Sequence, residues 1–132
     1  MNEFVSFVVA GVVTGSIYAV TASGLVVIQS TSPMFSRQSY WCIVETLKQA
    51  GFRTWPYHVY VPSFGEWGFT LAGNQWEPPL TLPAGLRFLT TPLIPELFTF
   101  PTDMKPLDAE VNRLNDQVLV RYYEKEWKDI AR

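Results

Sequence analysis

The sequence predicts an α/β chain, the closing portion of a doubly wound sheet that ends in an antiparallel hairpin, preceded by one N-terminal transmembrane helix. Three observations predict it. No side chain from Phe4 to Ile28 carries a charge. Between Gly24 and Ala72 a strand-like run, a helical pattern and two further strand-like runs follow one another. The 132 residues leave room for one modest domain.

A spanning helix needs about 20 apolar residues to cross a hydrocarbon core of about 30 Å. Phe4 to Ile28 meets that length, and its Ser and Thr residues can bond back to their own helix. A secretory signal would carry a basic start, whereas Glu3 is the only charge before Arg37. Residues 1–24 are therefore expected to form a membrane helix, with residues 25–132 a separate partial domain. Gly11 and Gly15 have the GxxxG spacing of a helix-packing face. Arg37 and Lys48, the nearest basic residues, follow the helix, which places the C-terminal part in the cytoplasm.

Leu25 to Gln29 suits a buried strand or the end of the membrane helix, and the pattern leaves both open. Ser32-Pro33 offers a cap and a first-turn proline, Tyr40, Ile43, Val44 and Leu47 recur at helical spacing, and Gly51 closes the helix; it should run over about 34–50. Phe52 to Pro62 reads as a strand with Trp55, Tyr57, Val59 and Val61 on one side. Ser63 to Glu66 reads as a turn and Trp67 to Ala72 as the return strand. Pro78, Pro79 and Pro83 mark an irregular connection. Short helices are expected over about 92–98 and 106–115. Val118 to Trp127 suits strand or helix, with Glu124 and Lys128 at helical pairing distance. The first strand of the sheet would lack a neighbour on one side.

Net charge is −2, from 10 Lys+Arg and 12 Asp+Glu, so there is no basic patch and no nucleic-acid partner is expected. Cys42 is the only cysteine, which excludes an intrachain disulfide and a thiol-rich metal site. No metal ligand set and no phosphate-binding glycine loop can be read from the spacing. His58, between Tyr57 and Val59, reads as a packed or half-exposed histidine rather than a base.

Two resemblances add to this. Thr14-Gly15-Ser16-Ile17-Tyr18-Ala19 and Ala22-Ser23-Gly24-Leu25 resemble the first helix of branched-chain amino-acid ABC transporter permeases, over about residues 1–27. That likeness implies an anchor and not transport, since no further spanning stretch follows. Ile28-Gln29-Ser30-Thr31-Ser32-Pro33, Phe52 to Phe69, and Val118 to Glu124 with Trp127 resemble the C-terminal part of bacterial spermidine synthases.

The second resemblance implies a Rossmann-like, methyltransferase-type sheet and a polyamine aminopropyltransferase. Its reaction moves an aminopropyl group from decarboxylated S-adenosylmethionine, a co-substrate, to putrescine; no bound cofactor is implied. Gln29 matches the family's strand-end glutamine near the polyamine pocket. Pro62-Ser63-Phe64 matches a Pro-Thr-Tyr loop, with Phe64 in place of the pocket tyrosine, so a hydroxyl is lost. Glu66 and Trp67 follow and are expected to face the same cavity. The glycine-rich nucleoside loop and the catalytic aspartate have no counterpart in this sequence, whose aspartates are Asp103, Asp108, Asp116 and Asp129. No catalytic residue is therefore assigned, and the chain is expected to be inactive alone. A homo-oligomer is compatible with the family. The alternatives are a membrane-anchored binding or assembly module, or a permease fragment without transport.

Overall fold

The computed structural model of the chain describes residues 16–20, 25–74 and 82–132. Among the described residues four strands form one sheet: β1 (Ser16–Val20), β2 (Leu25–Ser30), β3 (Arg53–Val61) and β4 (Gly65–Gly73), in the spatial order β1-β2-β4-β3. Every neighbouring pair is antiparallel. β2 and β3 consequently run in the same direction, joined through helix α1 (Arg37–Gln49), with β4 inserted against both. The α/β class and the terminal hairpin follow the sequence expectation.

The transmembrane expectation is corrected here. Ser16–Val20, in the middle of the proposed membrane helix, is a strand paired with β2, Ser16 opposite Gln29 and Val20 opposite Leu25. Among the described residues no helix is long and apolar enough to cross a membrane. The membrane-anchored localisation, with the membrane as partner through that helix, is thereby overturned. An uncharged run of β-branched residues satisfies a buried strand as well as a bilayer, so hydropathy alone did not discriminate. The rest of the proposed span, including the Gly11 and Gly15 spacing, lies outside the described residues. The same pairing settles Leu25 to Ile28 as sheet, and gives β2 the second neighbour that the sequence left missing.

Helix α1 starts one turn later than Ser32 suggests. Ser32 Oγ accepts from Met34 N and Phe35 N at 3.2 and 3.3 Å, which organises a preceding turn. The helix proper opens after Ser36, whose side chain makes no cap bond. Its cap comes from elsewhere in the chain. Glu126 Oε1 accepts Gln38 N at 2.6 Å, and Oε2 accepts Ser39 N at 3.3 Å and Ser39 Oγ at 2.5 Å. A carboxylate at these first-turn amides satisfies orphan donors and complements the helix dipole. At the other end Gly51 takes φ +96°, its N–H reaches Lys48 O, and Phe52 N reaches Leu47 O at 3.2 Å. That pair of bonds is the Schellman closure that a left-handed glycine permits.

One face of the sheet carries the core. Ile28 of β2 packs with Cys42 and Ile43 of α1 and with Val118 and Leu119 of the last helix, α3 (Val118–Ile130). Tyr40, Trp41 and Val44 form a second cluster with Phe100, Leu107 and Ala109. Each fully buried aliphatic side chain here stabilises the fold by roughly 1.5–3 kcal/mol relative to exposure. The buried stripe of α1 is wider than the helical spacing implied, because sheet, α3 and the 100–109 segment cover it on several sides.

A 3₁₀ turn (Thr91–Leu93) runs into a short helix α2 (Ile94–Leu97), as expected for 92–98. The second expected helix, 106–115, does not form. Its polar groups serve other elements instead. Asn112 N donates to Thr46 Oγ1 at 2.9 Å, and Asn112 Oδ1 accepts Leu119 N at 3.1 Å, capping α3. Asp116 Oδ1 accepts Val118 N and Arg113 N. Local side-chain bonds of this kind compete with helix formation.

Candidate functional site at the hairpin

The hairpin turn is built by three residues. Phe64 N donates to Val61 O at 2.9 Å, Pro62 supplies the fixed φ, and Gly65 follows at φ +77°. Val61 pairs directly with Gly65, so Pro62, Ser63 and Phe64 form a three-residue loop and the left-handed glycine opens the return strand. The return strand therefore starts at Gly65, two residues before the sequence suggested, and Glu66 belongs to β4 rather than to the turn. Pro56 is accommodated because β3 is an edge strand.

Successive strand residues face opposite sides of a sheet. The register groups Gln29 with Trp67 and Phe69 on the face away from α1: Gln29 lies opposite Phe69, and Trp67 is Phe69's neighbour on that side. Phe64 joins them, its ring 5.6 Å from that of Trp67, and stands 66 % exposed at the tip. Tyr57 stacks on Phe69 at 5.3 Å with an interplanar angle of 16°. Trp67 Nε1 is buried without an acceptor among the described residues. Met34 and Phe35, in the turn after β2, are also exposed, and Phe35 lies beside Gly65.

Glu66 lies on the other face, so the four site residues expected from the sequence do not converge on one cavity. Its Oε2 sits 2.8 Å from His58 Nδ1, and His58 Nε2 donates to Thr99 O at 2.6 Å. The two side chains are 12 % and 27 % exposed, so the pair is largely sheltered. His58 is thus a packed histidine, as read, but with an acid partner that sequence reading missed. The signal was available: a three-residue turn puts residues 58 and 66 on one face, diagonal across the two strands.

Beneath this end of the hairpin the face toward α1 is closed. Tyr40 Oη lies 3.0 Å from Phe69 O and 3.2 Å from Tyr57 O, joining α1 to both strands. Its ring occupies the space above Gly68, where a Cβ would fall on the ring and lie 2.5 Å from Thr31 O. Burial pushes the Tyr40 phenol well above the usual range, with Tyr57 adding and the Thr70 hydroxyl and Tyr57 carbonyl opposing. Burial also raises the Cys42 thiol to about 11; Asp116 and Glu110 add to this, while Thr46 and the Asn112 backbone oppose it. Neither group is a nucleophile near neutrality. The open face offers aromatic faces and a carboxamide oxygen, acceptors that suit an amine cation.

Comparison with known proteins gives the arrangement a context. The chain is 52 % identical over 116 residues to polyamine aminopropyltransferase 2 of Ralstonia nicotianae, covering 86 % of this chain and 23 % of that protein. It is 53 % identical over 104 residues to the polyamine aminopropyltransferase of Leptospira interrogans, covering 78 % and 21 %. With the Streptomyces coelicolor polyamine aminopropyltransferase 1 the identity is 38 % over 110 residues. The chain thus spans less than a quarter of the length of these curated relatives, which is consistent with the fragment relation expected from the sequence. No family model matches the chain. No solved structure matches it either.

Proposed function

Taking as premise that most of this chain is related to part of the polyamine aminopropyltransferases, we propose that it is the amine-holding C-terminal portion of such an enzyme. The observation that supports this best is the grouping of Gln29, Phe64 and Trp67 at one end and on one face of the sheet, in a chain 52 % identical over 116 residues to part of one such enzyme. The parallel pair β2 and β3, with β4 inserted between them, suits the closing end of a methyltransferase-type Rossmann sheet.

In this reading a diamine such as putrescine lies against the Phe64 and Trp67 rings, and the Gln29 carboxamide oxygen accepts from one ammonium group. Stacking a cation on an aromatic face is worth about 0.5–2 kcal/mol, which orients the amine. Glu66 Oε2 is committed to His58, so Glu66 contributes negative charge at this end of the sheet rather than direct contact. Aminopropyl transfer needs the amine deprotonated and aligned with the carbon beside the sulfonium of decarboxylated S-adenosylmethionine. The residues of this chain supply alignment; none of the described side chains supplies the base. The chain by itself therefore binds the diamine and does not convert it.

Calorimetric titration with putrescine tests this. Saturable binding is expected, weakened about tenfold (~1.4 kcal/mol) in Gln29→Ala and in Trp67→Ala. Binding that is equal in both variants and the parent chain overturns the site. Formation of spermidine by the purified chain with both substrates overturns the division of labour.

A further inference from the structure

We infer that Thr91–Lys105 is a strap fastened across the edge of the sheet, and that the Glu66–His58 pair is its latch. The strap contributes little regular structure beyond the 3₁₀ turn and α2. It is held at three main-chain carbonyls by donors from elsewhere. His58 Nε2 reaches Thr99 O at 2.6 Å, Trp41 Nε1 reaches Met104 O at 3.0 Å, and Arg37 Nε reaches Lys105 O at 2.7 Å.

Ring contacts line the same path. Phe98 meets Tyr57 at 5.7 Å, and Phe100 meets His58 at 4.9 Å and Trp41 at 5.0 Å. Phe98 thus touches a residue of the open face, while Phe100 touches residues of the α1 face, so the chain passes around edge strand β3. An edge strand covered in this way is shielded from pairing with another chain.

The three fastenings differ in kind. An indole N–H and a guanidinium are donors under all ordinary conditions, so the Trp41 and Arg37 anchors are permanent. An imidazole donates from Nε2 only in the state that places a proton there, and the bond at Nδ1 sets that state. Here both ring nitrogens face acceptors, the Glu66 carboxylate and the Thr99 carbonyl. Both contacts are hydrogen bonds only when both ring nitrogens carry protons, and the Glu66 carboxylate is the counter-charge to that gripping form. The Thr99 end is the releasable one, and opening there exposes Phe98, Phe100 and β3 while the far end stays tied. This inference stands whether or not the hairpin binds a diamine.

Amide hydrogen exchange on the full chain tests it. Phe98, Thr99 and Met104 amides are protected by bonds to Pro95, Glu96 and Pro101 carbonyls, so they report on the strap. His58→Phe keeps a ring against Phe100 but removes both hydrogen bonds. Exchange at Phe98 and Thr99 should rise about tenfold, with Met104 and the α1 amides unchanged. Unchanged exchange at Phe98 and Thr99 overturns the latch, because packing alone then holds the strap. If His58→Phe loosens the whole chain, Glu66→Gln decides: a rise of about threefold confined to Phe98 and Thr99 supports the latch, and any other pattern refutes it.

Discussion

The two faces of the hairpin use the same residue types for opposite purposes. Toward α1, Tyr40 is fully buried, its ring pressed on Gly68 and its hydroxyl bonded to two strand carbonyls. On the far face, Phe64 and Trp67 touch each other, and Phe64 remains two-thirds exposed beside Gln29's end of the sheet. Aromatic density in a sequence therefore says little about role. What separates core from candidate site is whether a helix lies over the ring, and that depends on register.

The comparison breaks most sharply at Gly68. Gly68→Ala drives a methyl into the Tyr40 ring and toward Thr31 O, and a loss of about 3 kcal/mol is expected in urea unfolding. If the variant is as stable as the parent chain, the closed face is not as close-packed as described.

Alkaline titration comes next. Below about pH 9 the Cys42 thiol is protonated in both states. As pH rises the unfolded chain loses that proton first, near the ordinary 9.0, while the folded chain keeps it to about 11. A folded pKa above the unfolded one gives stability that is present at low pH and lost upward, here about 2 kcal/mol between about pH 9 and 11. Tyr40 and Tyr57, both raised first by burial, steepen the fall above 10. Cys42→Ala should flatten the lower part of the curve, read from urea midpoints at pH 8 and 10.5.

Glu126→Gln removes a charge from the first turn of α1 but keeps a hydrogen-bonding oxygen. A loss of about 1 kcal/mol is expected in the same unfolding assay. The smallest effect belongs to the open face: Phe64→Ala should change stability by less than about 0.5 kcal/mol, since the ring is mostly in solvent. A loss comparable to that of Gly68→Ala would erase the distinction between the two faces.

Much of the local architecture was legible. Gly65 announces the turn, Gly51 the helix end, and the alternation of Trp55, Tyr57 and Val59 the strand, because each is dictated by backbone geometry within a few residues. Long-range facts were not. Glu126 caps a helix that begins 89 positions earlier in the chain, at Arg37; no local pattern encodes that. Residues 106–115 have helical propensity, yet bonds to Thr46 and Leu119 keep them out of a helix. The N-terminal hydropathy fitted a bilayer until β2 offered a pairing partner. Among the site residues, Gln29 and Phe64 were named from resemblance, and Glu66 and Trp67 from their place just after Phe64. The register puts Gln29 and Trp67 on one face, with Phe64 against Trp67, whereas Glu66, one residue earlier in β4, faces the other side.

The most direct test is a nuclear magnetic resonance titration of the chain with putrescine, following the indole N–H signals of Trp67 and Trp41 together with the Gln29 side-chain amide. Saturable shifts at Trp67 and Gln29, with Trp41 unmoved beneath the strap, are the predicted result. Shifts confined to the α1 face, or none at any concentration, would contradict an amine-holding hairpin.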